Sequence, residues 1–257
     1  MQPSDPKARF SDRVEDYVRH RPDYPAALLD WLRREHGVTP DWRVADIGAG
    51  TGISTKMFLD AGHAVVAVEP NAAMRAAATR WLGGDVRFSA VGGSAEATGL
   101  RTASVDLVSA AQAFHWFDPL SVRTEWARIL RPGGLIAIYW NTRRLGGTPF
   151  LAGYERILLE HGMDYVSVAE RYADDARMIA WFGAGFRGSA SFAHAQRLGF
   201  DAIVGRTLSS SYAPRVDQPG NAAMLAALRA LFDSTQSDDH VSMDYDTRIF
   251  VGTPLPS

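Results

Sequence analysis

The sequence predicts a doubly wound α/β fold, and three observations predict it. From residue 43 onward, short runs rich in Val, Ile and Ala alternate with helically patterned stretches, the texture of βαβ units on a parallel sheet. The first run passes directly into a glycine-rich turn, Gly48-Ala49-Gly50-Thr51-Gly52. The second run ends on a carboxylate, Glu69.

The elements follow in order. Residues 10–20 read as a helix stopped by Arg21-Pro22; residues 25–36, with apolar Leu28, Leu29, Trp31 and Leu32, read as a second, ended by Gly37. Residues 44–47 form the first strand, and a helix follows the glycine turn to about Leu59, capped by Gly62. Residues 64–68 form the second strand. Asn71 suits the N-cap of a helix that carries Met74, Ala77, Ala78 and Trp81 at helical spacing. Residues 86–91 and 105–111 are the third and fourth strands. Asp118-Pro119 suits the N-cap and first position of a helix marked by Val122, Trp126, Ile129 and Leu130. Arg131-Pro132-Gly133-Gly134 stops that helix, and residues 135–140 are the fifth strand.

The alternation then breaks. Residues 141–185 are helical in pattern and rich in aromatics, Tyr154, Tyr165, Tyr172, Trp181 and Phe182 among them, and read as an insertion. A sixth strand near 189–198, helices near 201–211 and 221–235, and a closing strand at 241–251 complete the chain. The expected organisation is one domain over 1–257: a helical cover (1–40), a core (41–141), a lid (142–187) and the rest of the sheet (188–257).

Bulk properties narrow the functional classes. A chain of 257 residues, 46% apolar and 22% charged, can bury a core without staples. A net charge of −2 gives no electrostatic footprint for nucleic acid or an anionic membrane. The absence of cysteine excludes disulfides, thiolate nucleophiles and cysteine-ligated metal. No apolar run approaches the length of a bilayer span, and the first residues lack the basic and apolar regions of a signal peptide, so the expected location is cytoplasmic. Oligomeric state is open.

The strand, glycine turn and helix make a site for the polar part of a nucleotide-like ligand, because glycine lets the backbone turn sharply and approach the ligand. A carboxylate ending the second strand can accept both hydroxyls of a ribose. A dinucleotide fold wants Gly-x-Gly-x-x-Gly, whereas here the third glycine comes one residue early. No Gly-Lys-Ser/Thr follows, so the turn is not a P-loop. The spacing favours an adenosine ligand without a pyrophosphate. A nicotinamide-dependent oxidoreductase is the alternative enzyme reading, and a cofactor-binding partner protein without chemistry is the alternative outside catalysis.

At these residues the chain resembles the class I S-adenosylmethionine-dependent methyltransferases. The resemblance rests on Asp46-x-Gly48-x-Gly50-x-Gly52, Val68-Glu69-Pro70-Asn71 with Met74, Gly93-Ser94-Ala95-Glu96, Val105-Asp106-Leu107-Val108 through Ala111, and Leu130-Arg131-Pro132-Gly133-Gly134. Phe10-Ser11-Asp12-Arg13, Tyr17, Arg21-Pro22-Asp23-Tyr24-Pro25 and Ala113-Phe114-His115-Trp116-Phe117 resemble the small-molecule branch that includes trans-aconitate methyltransferase-like proteins. The resemblance implies a Rossmann-like sheet of order 3-2-1-4-5-7-6 with an antiparallel last strand, covered by the first forty residues.

It also implies S-adenosyl-L-methionine as donor and S-adenosyl-L-homocysteine as product. The cofactor contacts it implies are Tyr17, Arg21, Asp46, Gly48, Ala49, Gly50, Gly52, Glu69, Pro70, Met74, Ser94, Ala95, Glu96, Ala111 and Phe114. Asp46 organises the loop or receives the amino group, Glu69 holds the ribose, and Met74, Ala95 and Glu96 flank the adenine; plain core packing is the other reading for Met74 and Ala95. Tyr17, Phe114 and Trp116 surround the sulfonium or form an apolar wall. His115 serves as general base or orients its loop. Arg143 and Arg144 pair with an anionic acceptor or form a solvated loop. Tyr154 and the aromatic insertion supply the acceptor wall. No Asn/Asp-Pro-Pro-aromatic motif follows the fourth strand, no paired-glutamate loop is present and no metal-ligand set is recognisable, which leaves a small-molecule acceptor, methylated on oxygen or nitrogen without a metal.

Overall fold

A computed structural model describes residues 21–163, 165, 175–210 and 212–254 of the chain. Its elements, in chain order, are α1 (Ala26–His36), β1 (Arg43–Ile47), α2 (Ile53–Asp60), β2 (Ala64–Val68), α3 (Ala72–Leu82), β3 (Phe88–Val91), β4 (Val105–Ala111), α4 (Ser121–Ile129), β5 (Leu130–Arg143), α5 (Pro149–His161), α6 (Asp175–Phe182), β6 (Phe186–Leu198), α7 (Phe200–Leu208), α8 (Asn221–Thr235) and β7 (Val241–Gly252). The helix expected at 10–20, Tyr17 and Tyr172 lie outside the described residues.

The seven strands form one sheet of order β3-β2-β1-β4-β5-β7-β6. β3, β2, β1, β4 and β5 are mutually parallel, and β7 runs antiparallel to both of its neighbours. The registers Ile47↔Val68, Val68↔Val91 and Ala111↔Tyr139 bring the carboxyl ends of these strands to one edge, where the loops gather. Helices cover both faces, so the strands read as continuous apolar runs rather than alternating ones. Ala45, Ile47, Val108 and Ile138 pack with Trp126 of α4 and Phe182 of α6 on one face. Val44, Val65, Leu107 and Tyr139 pack with Leu28 and Leu32 of α1 and Phe58 of α2 on the other.

A third core lies beyond the sheet's edge. Phe150, Leu151 and Tyr154 of α5 pack with Ile203 of α7, Met224 and Leu228 of α8, and Met243 and Tyr245 at the start of β7. The segment expected to act as a lid therefore packs with α7 and α8, which come later in the chain, rather than standing as an insertion of its own. Among the described residues no helix is long and apolar enough to cross a membrane.

Several sequence expectations are corrected. Arg131-Pro132-Gly133-Gly134 lies within β5 rather than before it. Val105 pairs with Leu130 and Leu107 with Leu135, so the partner strand absorbs the extra residues as a bulge. A Cβ on Gly134 would sit 2.9 Å from the Asp106 carbonyl oxygen, which is why glycine stands there. β5 also runs on to Arg143, placing Asn141 inside the sheet. β3 begins at Phe88; Val86 is exposed, and the Asp85 carboxylate accepts from the Arg87 amide in a turn. α4 begins at Ser121, with Asp118 accepting from the amides of Leu120 and Ser121 across its first turn. Trp81 is 43% exposed and faces away from the core. Asn71 caps α3 as expected, accepting from the amides of Ala73 and Met74.

Candidate functional site

The glycine turn sits at the carboxyl end of β1, between the ends of β2 and β4. The Gly48 amide donates to the Val68 carbonyl at 2.9 Å, which ties the turn to the neighbouring strand. Gly50 has φ +58°, and a Cβ there would meet nothing nearer than Met74 Sδ at 3.9 Å. By contrast, a Cβ on Gly48 would reach Ala113 Cβ at 2.7 Å and one on Gly52 would reach Leu82 Cδ1 at 2.7 Å. Gly50 thus faces open space, while Gly48 and Gly52 allow neighbouring elements to close on the turn.

Glu69 is 7% exposed, and both its oxygens accept from backbone: Oε2 from the Gly50 amide at 2.9 Å and Oε1 from the Asn71 amide at 2.8 Å. Burial pushes its carboxyl above the ordinary range, a shift that the two amides oppose. Arg75 holds the same corner from the far side, donating from Nη1 to the Glu69 carbonyl at 2.6 Å.

Asp46 is fully buried beneath the turn. Its Oδ2 accepts from Ser54 Oγ at 2.6 Å and Thr55 Oγ1 at 2.7 Å, and its Oδ1 from Ser109 Oγ at 3.2 Å. Ser109 in turn shares a hydrogen bond with the Tyr139 hydroxyl at 2.9 Å. Burial raises the Asp46 pKa against these three hydroxyls, and burial with the nearby Asp46 charge raises that of Tyr139. The carboxylate ties the first turn of α2 to β1 and β4, so of its two expected roles the geometry matches the organising one.

A cleft opens above the turn, lined by Gly48, Ala49, Gly50 and Thr51, by Ala111 and Gln112 at the end of β4, and by Arg21, Pro22 and Tyr24. The segment 21–24 roofs it and is fastened at several points. Arg21 Nη2 donates to the Ser209 carbonyl at 3.0 Å, and Asn141 Nδ2 donates to the Asp23 carbonyl at 2.8 Å. His194 Nε2 lies 2.9 Å from Asp23 Oδ1, and this neighbour holds the Asp23 carboxyl below the usual range. The Tyr24 ring stands edge-on to Tyr139 at 4.8 Å.

The structure brings Arg21, Gly48, Ala49, Gly50 and Ala111 to this cleft and places Glu69 and Met74 beside Gly50. Pro70 is exposed next to Glu69. The 94–97 turn lies further along: Ala95 is buried with its carbonyl accepting from Trp126 Nε1, and Glu96 Oε1 accepts from the Asp118 amide. Ser94 Oγ accepts from the Ala97 amide within the turn. Phe114 is buried against Phe117, Trp126, Trp140 and Trp181 rather than lining the cleft. His115 and Trp116 follow in the same short 3-10 turn, half-buried, with rings 4.7 Å apart.

Two expected acceptor contacts are corrected. Tyr154 is 1% exposed and its hydroxyl is bonded to Thr207 Oγ1 at 2.9 Å, which makes it a residue of the third core. Arg143 is no open anion receptor: its Nη2 is paired with the Glu155 carboxylate and bonded to the Tyr165 hydroxyl at 2.8 Å. Arg144 pairs with Asp246 at the surface. Sequence reasoning missed Gln112 and did not assign Tyr24. Gln112 turns the chain after β4 with φ +55° and donates from Nε2 to the Asn141 carbonyl; its signal is only its place at the strand's carboxyl end. Among the described residues no group of three or more His, Asp and Glu is placed to hold a metal.

The methyltransferase domain family matches residues 45–138. An uncharacterized methyltransferase of Mycobacterium tuberculosis is 43% identical over 143 residues, 53% of this chain and 54% of that protein. The chain thus matches about half the length of such curated relatives. Among solved structures, a provisionally named type II methyltransferase from Anaeromyxobacter dehalogenans is 26% identical, covering 92% of this chain and 99% of its own, with a TM-score of 0.67. A methyltransferase from Geobacter sulfurreducens, solved with S-adenosyl-L-homocysteine, shares the fold at 17% identity and a TM-score of 0.50, covering 94% and 98% of the two chains.

Proposed function

We propose that the chain is a class I S-adenosylmethionine-dependent methyltransferase, a reading supported by its matches in sequence and fold, and that it transfers a methyl group from S-adenosyl-L-methionine to an oxygen or nitrogen atom of a small-molecule acceptor. The observation that carries this reading is the closure of the Glu69 carboxylate on the Gly50 amide, at a glycine whose Cβ position is open. An adenosine fits there: its ribose hydroxyls donate to a buried carboxylate, and the amino-acid end reaches the turn's amides beneath the roof of residues 21–24.

When bound, S-adenosyl-L-methionine would supply a methyl group already activated by its sulfonium, with S-adenosyl-L-homocysteine as the leaving product. The chain's own residues bind and align. Asp46 holds the turn in shape through Ser54, Thr55 and Ser109. Glu69 accepts from the ribose, Met74 packs beside the adenine, and the 94–96 turn borders its edge. Arg21 and Tyr24 close the cleft over the amino-acid end and exclude water. A His115 ring nitrogen takes the proton of an acceptor that carries one; an ionised acceptor needs no base.

Calorimetric titration with S-adenosyl-L-homocysteine and, separately, NADH tests the reading. Saturable binding of the homocysteine product with no response to NADH is expected. The converse pattern would sink the proposal.

A further inference from the structure

Arg206 stands out among the charged groups. It lies in the last turn of α7 and is 8% exposed, yet its bonded partners are hydroxyls only. Nε donates to the Tyr245 hydroxyl at 3.4 Å and Nη1 to Ser210 Oγ at 3.2 Å. No carboxylate among the described residues is paired with it, and none accepts from Nη2. An arginine does not shed its proton, so this is a permanent charge in a poorly hydrated place. Such a charge is costly unless an anion meets it.

The neighbourhood does not cancel it. The Arg143 guanidinium lies over the Tyr154 ring at 5.0 Å, and the Tyr154 hydroxyl is bonded to Thr207, the residue after Arg206, so the two guanidinium groups border one phenol-rich region. Glu155 neutralises Arg143 and also accepts from the Tyr165 hydroxyl at 2.6 Å. Among the described residues, these two cations and one carboxylate leave a residual charge of one, located on Arg206. The end of α7 offers little compensation, because the carbonyls of Gly205, Arg206 and Thr207 already accept from Ser209 and Ser210. The Tyr245 hydroxyl, which accepts from Arg206, donates its own proton to Gln196 Oε1 at 3.1 Å.

Its position relates the charge to the cofactor cleft. Arg21, in the cleft wall, donates to the carbonyl of Ser209, three residues beyond Arg206. This region is therefore one side chain removed from the cleft, on the side of α7. We propose that Arg206 binds a carboxylate of the methyl acceptor, beside the Tyr245 hydroxyl. The single residual charge matches a carboxylate better than a dianionic phosphate. The proposal rests on the methyltransferase reading, and it names a class of acceptor that reading leaves open.

The test titrates the whole protein, saturated with S-adenosyl-L-homocysteine, at constant ionic strength. Succinate and benzoate are compared with succinamide, benzamide and inorganic phosphate. The carboxylates are expected to bind and the amides not. Arg206→Gln is expected to weaken carboxylate binding by about 10- to 100-fold, the loss of one or two charge-assisted hydrogen bonds. Arg206→Lys, which keeps the charge but loses the planar fork, should fall between the two. Affinity for S-adenosyl-L-homocysteine should stay unchanged in both variants, which also reports that they are folded. Equal carboxylate binding in wild type and both variants, binding of phosphate alone, or no carboxylate binding at millimolar concentration each overturns the proposal. Intact binding of S-adenosyl-L-homocysteine in those cases leaves the methyltransferase reading standing. Its failure beside Arg206-dependent carboxylate binding would strike the reading and spare the anion site.

Discussion

Glu69 and Gly50 meet across a single hydrogen bond, and each can be tested separately. Burial raises the Glu69 pKa, and only the ionised form offers all its lone pairs to ribose hydroxyls. Bound adenosine favours the carboxylate, so affinity for S-adenosyl-L-homocysteine should be full at neutral pH. It should fall as pH drops through the raised pKa. Glu69→Gln should lower affinity at neutral pH by about 10- to 100-fold and flatten that pH dependence, as followed by calorimetry at successive pH values. A variant that keeps the wild-type slope would show that another group titrates. Gly50→Arg fills the open space above the turn. It should abolish binding and cost about 1–2 kcal/mol of stability for its left-handed backbone, seen as a folded circular-dichroism spectrum with no binding heat. Unchanged affinity in that variant would refute the site.

At the scale of elements, β5 is where local pattern and structure part most clearly. Arg131-Pro132-Gly133-Gly134 has every mark of a helix stop and a loop, and it does end α4. Yet the strand begins at Leu130, because the bulge against Val105 and Leu107 lets pairing resume at Leu135. Arg131 also anchors the bulge by donating to the Asp106 carboxylate at 2.8 Å. Gly134→Val would press a branched side chain onto the Asp106 carbonyl and should cost about 1–3 kcal/mol in chemical denaturation. Wild-type stability would mean that the bulge yields. The other strands were legible because a parallel strand covered on both faces is a short continuous apolar run. Asn71 was legible as a cap because its side chain bonds the first amides of its own helix, a local pattern that sequence spacing records.

For the molecule as a whole, Asn141 joins parts far apart in the chain. Its Nδ2 holds the Asp23 carbonyl in the roof, its Oδ1 accepts from the buried Thr247 hydroxyl of β7 at 2.6 Å, and its own carbonyl accepts from Gln112 in the cleft wall. Asn141→Ala leaves the first two groups without this partner. It should cost about 1–3 kcal/mol in thermal or chemical unfolding and speed release of S-adenosyl-L-homocysteine, measured by stopped flow. An unchanged release rate would separate the roof from the site. Nothing in the sequence around Asn141 marks this role, since its partners come from the N-terminal segment, the end of β4 and the last strand.

The sequence by itself determined the order of strands and helices, the cap at Asn71 and the glycine turn followed by a carboxylate. Each is written in spacing over a few residues, where backbone geometry and apolar periodicity act locally. The tertiary structure alone decided the charges and the walls. It buried Tyr154 against Thr207, neutralised Arg143 with Glu155, packed Phe114 among four other rings, and left Arg206 with hydroxyls for company. Charge and burial depend on which side chains meet across distant segments, and the arginines at positions 143 and 206 look alike until their counter-ions are located.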